Sequence, residues 1–196
     1  MMVVIVNGIP GSGKTTLAKG LAQTMNLPLF SKDSVKETLA DMLGPAPDGL
    51  TAREWSQRLG AAAAEMLWTL LADSCPGAVL ESPWLAHLRP IVLAGLDRAQ
   101  VDVDRVHEIW CEVPLDFARR RFAERAAGRH PVHVNDQNDD AGWGEWSTQA
   151  EPLALGHVHV VDTTSPVDLT QLVARIRRAH SRSALGTPRA QADPVL

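Results

Sequence analysis

Gly8-Ile9-Pro10-Gly11-Ser12-Gly13-Lys14-Thr15 stands between an apolar run, Met2 to Val6, and a stretch with helical periodicity. It satisfies G-x-x-x-x-G-K-[ST], and the order strand, loop, helix is the context that gives this pattern its physical meaning. A backbone folded tightly around phosphates, with its N–H groups turned inward, leaves no room for side chains at Gly8, Gly11 and Gly13. Nucleotide contacts are expected from Gly8, Pro10, Gly11, Ser12, Gly13, Lys14, Thr15 and Thr16. Lys14 reaches the β- and γ-phosphates, Thr15 offers a hydroxyl to Mg²⁺, and the helix starting there turns its positive end to the anion.

Outward from the loop, apolar positions Leu17, Ala18, Leu21, Ala22 and Met25 predict a first helix, stopped by Asn26 and Pro28. Leu27 to Phe30 reads as a second strand. Ser34 with Glu37, and Thr51 with Glu54, read as capping boxes opening two further helices. The second of these carries Trp55, Leu59, Ala62, Ala63, Met66, Leu67, Leu70 and Leu71 as one buried stripe, with Trp55 and Trp68 in the core. Ala78 to Glu81, Val103 to Cys111 and His157 to Val161 read as strands, separated by helices over roughly 85–99 and 114–127. Ser165 to Asp168 caps a last helix with Pro166 at its first position. Strands alternating with helices imply a parallel sheet covered on both faces, with ligands beyond the carboxyl ends of the strands.

The chain has 196 residues, 45% of them hydrophobic and 21% charged, which suits one core. A domain over residues 1–180 is expected, with a lid at about 128–153 and a mobile tail at 181–196. Glycines flanking Trp143 would permit hinge motion of that lid. The net charge of −4 provides no general attraction to nucleic acid. Cys75 and Cys111 form no metal or disulfide pattern, and no leader or membrane-spanning run is visible, so a cytoplasmic protein is expected. His130 and His133 lack a third ligand at fixed spacing, and His157 and His159 read as two ordinary polar strand positions.

At the strand ends, Asp33 follows the second strand directly, where a carboxylate would orient an acceptor hydroxyl and take its proton. A helix-start aspartate that satisfies backbone N–H groups is the other reading. Glu81 ends the third strand, placed to reach Mg²⁺ through a water or to pair with Arg89 or a lysine. Arg121, Arg125 and Arg129, spaced four apart, would form one cationic stripe if their helix continued. Trp84 lies where an acceptor could stack.

On these residues the chain resembles the small P-loop kinases: chloramphenicol phosphotransferase, gluconate and shikimate kinases, zeta-toxin kinases and the kinase domain of polynucleotide kinases. The resemblance implies a P-loop NTPase fold, a three-layer α/β/α sandwich with a five-stranded parallel sheet and a lid. It further implies ATP and Mg²⁺, Asp33 as base, an arginine-bearing lid with Arg125 on the transferred phosphate, and Arg121 and Arg129 on the nucleotide. Asp162-Thr163-Thr164 matches the family's last-strand exit. The acceptor side would include Asp33, Lys36, Glu81 and Trp84, and the acceptor is a small molecule bearing a hydroxyl. Lys36 falls where the polynucleotide kinases place a phosphate-binding cation, so a polynucleotide 5′-kinase is an alternative. A non-catalytic nucleotide-binding switch is another, although no guanine-specifying Asn/Thr-Lys-x-Asp motif is present.

Overall fold

Val3, Val4, Ile5 and Val6 have no solvent exposure at all, because a central parallel strand is covered on both faces and alternation gives way to a continuous apolar run. In the computed structural model, which describes residues 1–133 and 140–186, this strand is β1 (Met2–Asn7). It is followed by α1 (Lys14–Met25), β2 (Leu29–Ser31), α2 (Lys32–Leu43), α3 (Ala52–Ala72), β3 (Gly77–Glu81) and α4 (Arg89–Arg98). Then come β4 (Val106–Glu112), α5 (Leu115–Glu124), α6 (Asp140–Gln149), β5 (His157–Asp162) and α7 (Leu169–Gly186). The five strands are parallel in the order β2-β3-β1-β4-β5.

Strand periodicity separates two cores. Val3 and Ile5 face Leu67, Trp68 and Leu71 of α3 and Val92 and Leu96 of α4. Val4 and Val6 face Leu17, Leu21 and Met25 of α1 and Leu172, Val173 and Ile176 of α7. Each such fully buried aliphatic side chain contributes about 1.5–3 kcal/mol, so these faces hold helices on both sides and leave the carboxyl ends of the strands open. The register puts Ser31, Glu81, Val6 and Ile109 in one row across the sheet, which brings the loop after β1 beside the ends of β2 and β3.

Local signals explain most boundaries. Asn26 takes the left-handed conformation (φ 54°) and its N–H closes α1 on Ala22 and Gln23. The Thr51 hydroxyl accepts from the Glu54 N–H at 3.2 Å while the Thr51 N–H donates to Glu54 Oε2 at 2.8 Å, the reciprocal box that opens α3. The stripe on α3 is narrower than its apolar residues suggest. Leu59, Ala63, Leu67, Trp68 and Leu71 are buried, whereas Ala62, Met66 and Leu70 are exposed and Trp55 is half-buried.

Several expectations give way to the tertiary arrangement. β2 runs straight into α2 at Lys32, so Ser34 and Glu37 lie inside the helix and form no capping box. The fourth strand begins at Val106 after a 3-10 turn, and Asp168, not the Ser165-Pro166 pair, caps α7 by accepting from the Gln171 N–H at 3.0 Å. The helix continues through Gly186, beyond the point where polarity marks a tail. Residues 187–196 of that expected tail, and Asn135, Asp136, Asn138 and Asp139 of the expected lid, lie outside the described residues. The segment expected to be a lid contains α6, so Gly142 and Gly144 sit in a helix. Trp143 is buried there against Phe122, edge to face at 5.6 Å between centroids.

His157 and His159 are not ordinary strand positions. His107 is fully buried on β4, stacked on His157, with Nδ1 3.2 Å from His159 Nε2 and Nε2 3.2 Å from His180 Nδ1 of α7. Both nitrogens of the central ring face other rings. Among the described residues no group of three or more His, Cys, Asp or Glu side chains is arranged to hold a metal ion, and no helix is long and apolar enough to cross a membrane.

Candidate functional site

Gly13, the residue before α1, adopts φ 86°, and no side chain caps the helix. The first N–H groups of α1 therefore face the loop with only the helix dipole behind them, which is the arrangement that receives an anion. Gly11 adopts φ 81°, and a Cβ there would lie 2.1 Å from the Ala118 carbonyl oxygen of α5; the loop is cradled against that helix with no space left for a methyl group. Lys14 is buried and donates from Nζ to the Ile9 carbonyl at 2.8 Å. Burial lowers the pKa of its ammonium, and the charge of Glu81 opposes that shift.

Glu81 is 3% exposed. It accepts from the Ser31 hydroxyl at 2.5 Å and from the Thr15 hydroxyl at 3.3 Å. The Ser31 contact follows from the row Ser31–Glu81–Val6, which sequence reading could not supply because pairing order is a tertiary property, and Thr15 reaches Glu81 from the first turn of α1. Arg89 is engaged elsewhere, donating to the Leu153 carbonyl at 2.5 Å. The Arg89 pairing considered for Glu81 is thereby replaced by hydroxyl contacts. A hydroxyl beside a carboxylate is a hard oxygen donor set that fits Mg²⁺.

One cavity of about 1070 Å³ joins these groups to the rest of the strand ends. Pro10, Gly11, Lys14 and Thr15 line it from the loop, Ser31, Lys32, Asp33 and Lys36 from the β2–α2 junction, and Arg125, Arg129, His130, His133 and Trp146 from the far side. Asp33 sits in the first turn of α2, and Lys14, Lys36 and Arg129 all feel its charge. Lys36 donates to Ser56 Oγ at 2.8 Å, and that hydroxyl donates to the Val132 carbonyl at 2.7 Å. Burial, with Lys32 next, lowers the pKa of Lys36. His133 and His130 contact Glu37 and Asp41 at 2.8 and 3.0 Å, so α2 also holds the segment leading away from α5.

The arginines do not form a single stripe. The helix ends at Glu124 and Arg125 is its cap, so the spacing of four stops being a helical spacing. Arg125 donates from Nε to the Arg121 carbonyl at 3.2 Å, and Arg129 lies over the Phe122 ring at 4.5 Å. Arg121 instead bridges to the β5 exit, donating to the Thr163 and Thr164 carbonyls at 2.9 and 3.3 Å. A second cavity of about 560 Å³ opens there, on the other side of Gly11 and Gly13, lined by Thr16, Leu17, Arg121, Arg125, Pro166, Val167 and Leu169. Thr163 fixes this edge, its hydroxyl donating to the Ser12 carbonyl at 2.6 Å.

Trp84 is corrected. It is 4% exposed, stacks on Trp68 at 5.3 Å and belongs to the α3–α4 core, so it offers no face to an acceptor. Trp146, partly buried, is the indole that borders the large cavity. Two residues not foreseen are Asn7 and Glu108, both with no solvent exposure beneath the loop. Their signal was a polar residue at a core-facing strand position.

An AAA domain family model matches residues 3–142. The chain is 33% identical to a protein of Chloroflexus aurantiacus assigned as a kinase, with a TM-score of 0.77 over 91% of this chain and 97% of the other. A gluconokinase of Sinorhizobium meliloti 1021 (16% identity, TM-score 0.54, 94% of each chain) shares the fold. So does a shikimate kinase of Acinetobacter baumannii (16% identity, TM-score 0.55, 94% and 96%). Among curated relatives, the cytidylate kinase of Pyrobaculum islandicum is 48% identical over 44 residues, 22% of this chain, and the match spans only 24% of that protein's length. The chain belongs to the AAA domain family of P-loop proteins, on the fold that the P-loop kinases share.

Proposed function

We propose that this protein is an ATP-dependent kinase that transfers the γ-phosphate of Mg²⁺·ATP to a hydroxyl of a small molecule. The observation that carries the reading is the shared cavity, in which the phosphate loop, a helix-start carboxylate and two arginines line one space. Loop and α1 N–H groups would hold the phosphates, with Thr15 and Glu81 on Mg²⁺, which when bound supplies charge neutralisation between the β- and γ-phosphates. The second cavity, with apolar Leu17, Val167 and Leu169, suits a nucleoside. Lys14 leaves the Ile9 carbonyl and follows the transferred group. Asp33 orients the acceptor hydroxyl and takes its proton, while Arg125 and Arg129 offset charge on the equatorial oxygens. Lys32 and Lys36 border the acceptor side.

The test is a screen of hydroxyl-bearing metabolites, sugars, nucleosides and antibiotics for stimulated ADP release, followed by Asp33→Asn on the best acceptor. The variant is expected to lose about 10²-fold or more in kcat while its Kd for Mg²⁺·ATP stays within threefold. Full turnover in Asp33→Asn, or no Mg²⁺·ATP binding by the wild type, would overturn the reading. Transfer confined to oligonucleotide ends or to nucleoside monophosphates would replace the acceptor class.

A further inference from the structure

Beneath the phosphate loop lies a polar chain that no step above uses. The Gly8 N–H, the first of the loop, donates to Asn7 Oδ1 at 2.7 Å. Asn7 Nδ2 donates to the Trp84 carbonyl and, at 2.9 Å, to Glu108 Oε1. That same oxygen accepts from the Leu153 N–H at 2.8 Å, and the neighbouring Ala154 and Leu155 amides favour the charged form of the carboxyl against the effect of burial. Ala154, next to Leu153, adopts φ 52°, a left-handed conformation unusual for a residue with a Cβ, and such a conformation persists where surrounding contacts over-determine it.

The two ends of this chain belong to different parts of the site. Residues 153–155 belong to the return from α6 to β5, which the Ala86 N–H pins at the Glu151 carbonyl and Arg89 at the Leu153 carbonyl; Gly8 opens the loop that α1 completes. Asn7 and Glu108 share the sheet face of Val3 and Ile5, since Glu108 pairs in register with Ile5, so the relay is enclosed in the core and shielded from water. Glu108 Oε2 has no hydrogen-bond partner among the described residues. A buried carboxyl used on one oxygen alone is retained for its acceptor geometry, at the expense of stability.

We propose that Asn7 and Glu108 are a buried positioning pair that sets the first amide of the phosphate loop against the strained return at residues 153–155, so that each end holds the other in its binding geometry. This inference rests on the proposed nucleotide site only for its ligand readout. Neither side chain touches the cavity, and the pair acts through backbone that does.

The experiment follows amide hydrogen exchange in peptides covering the loop and residues 151–156, together with the Kd for Mg²⁺·ATP, in the full chain. Asn7→Ala is expected to speed exchange at 153–155 at least tenfold, and Glu108→Ala to speed exchange in the loop at least tenfold. Both variants should weaken Mg²⁺·ATP about tenfold, and Glu108→Gln, which keeps the acceptor oxygen, should restore both readouts to within threefold of wild type. A folded Glu108→Ala protein with faster exchange at 153–155 but unchanged loop exchange and unchanged Kd would reduce Glu108 to local packing and overturn the pair. If Glu108→Ala does not fold, Asn7→Ala decides: unchanged exchange at 153–155 refutes the relay. Should the wild type bind no Mg²⁺·ATP, the proposed function fails while the reciprocal exchange effects still stand or fall alone.

Discussion

Replacing Gly11 and Gly13 by alanine, one at a time, should separate two physical reasons for glycine within one loop. Both residues have positive φ, 81° and 86°, so either alanine carries the left-handed penalty of about 1–2 kcal/mol. At Gly13 the nearest atoms to a new Cβ are Arg121 Nη1 at 3.6 Å and Thr163 Cβ at 3.8 Å, ordinary contacts, and the penalty ends there. At Gly11 the Cβ would sit 2.1 Å from the Ala118 oxygen and 2.8 Å from its carbonyl carbon. Relief requires α5 and the loop to part by more than about 1 Å, opening the small core of Ile9, Ala118, Phe122 and Trp143; overpacking of this kind adds about 1–3 kcal/mol. Gly11→Ala should therefore lose about 2–5 kcal/mol and Gly13→Ala about 1–2 kcal/mol, read from urea unfolding midpoints at unchanged m. Mg²⁺·ATP titration should follow the same order, because α5 carries Arg121 and delivers Arg125. Equal midpoints for the two variants would refute the steric argument, as would a Gly11→Ala structure with α5 undisplaced.

Two further outcomes follow from groups held out of water. Burial is the largest cause that lowers His107 to about 3 and His159 to about 4, with neighbouring histidines and Arg175 adding to it, and His180, near Arg105 and the Met1 amino group, is lowered too. These rings are neutral in the folded chain but take up protons near pH 6.5 when unfolded, so stability falls as pH drops below about 6.5 and keeps falling toward 4. His107 and His159 each cost about 1 kcal/mol at pH 5.5. Tm should drop by roughly 5 °C between pH 7.5 and 5.5, and less in His159→Gln; a Tm unchanged over that interval contradicts the neutral cluster. Cys111 is buried with its thiol pushed up to about 12, chiefly by burial, whereas Cys75 is exposed. Iodoacetamide at pH 8 should modify one thiol per native chain, at Cys75, and rapid modification of both would mean the sheet opens around Cys111.

The sequence by itself determined the phosphate loop, the alternation of strand and helix, the Thr51–Glu54 cap and the apolar faces of α1 and α7. Each of these is encoded by neighbours a few residues apart, through backbone sterics, side-chain periodicity and local hydrogen bonds. It also pointed to Asp33 and Glu81 as strand-end carboxylates. Only the tertiary structure decided what those groups meet. Strand order put the Ser31 hydroxyl on Glu81 and α1 brought the Thr15 hydroxyl to it, the end of α5 at Glu124 broke the arginine row while Arg121 reached the β5 exit, and the stacking of α3 on α4 buried Trp84 against Trp68. The four-histidine cluster and the Asn7–Glu108 relay join residues as many as 101 positions apart. No local rule reaches that far, because such contacts are selected by the shared burial of whole elements, not by the preferences of the residues that make them.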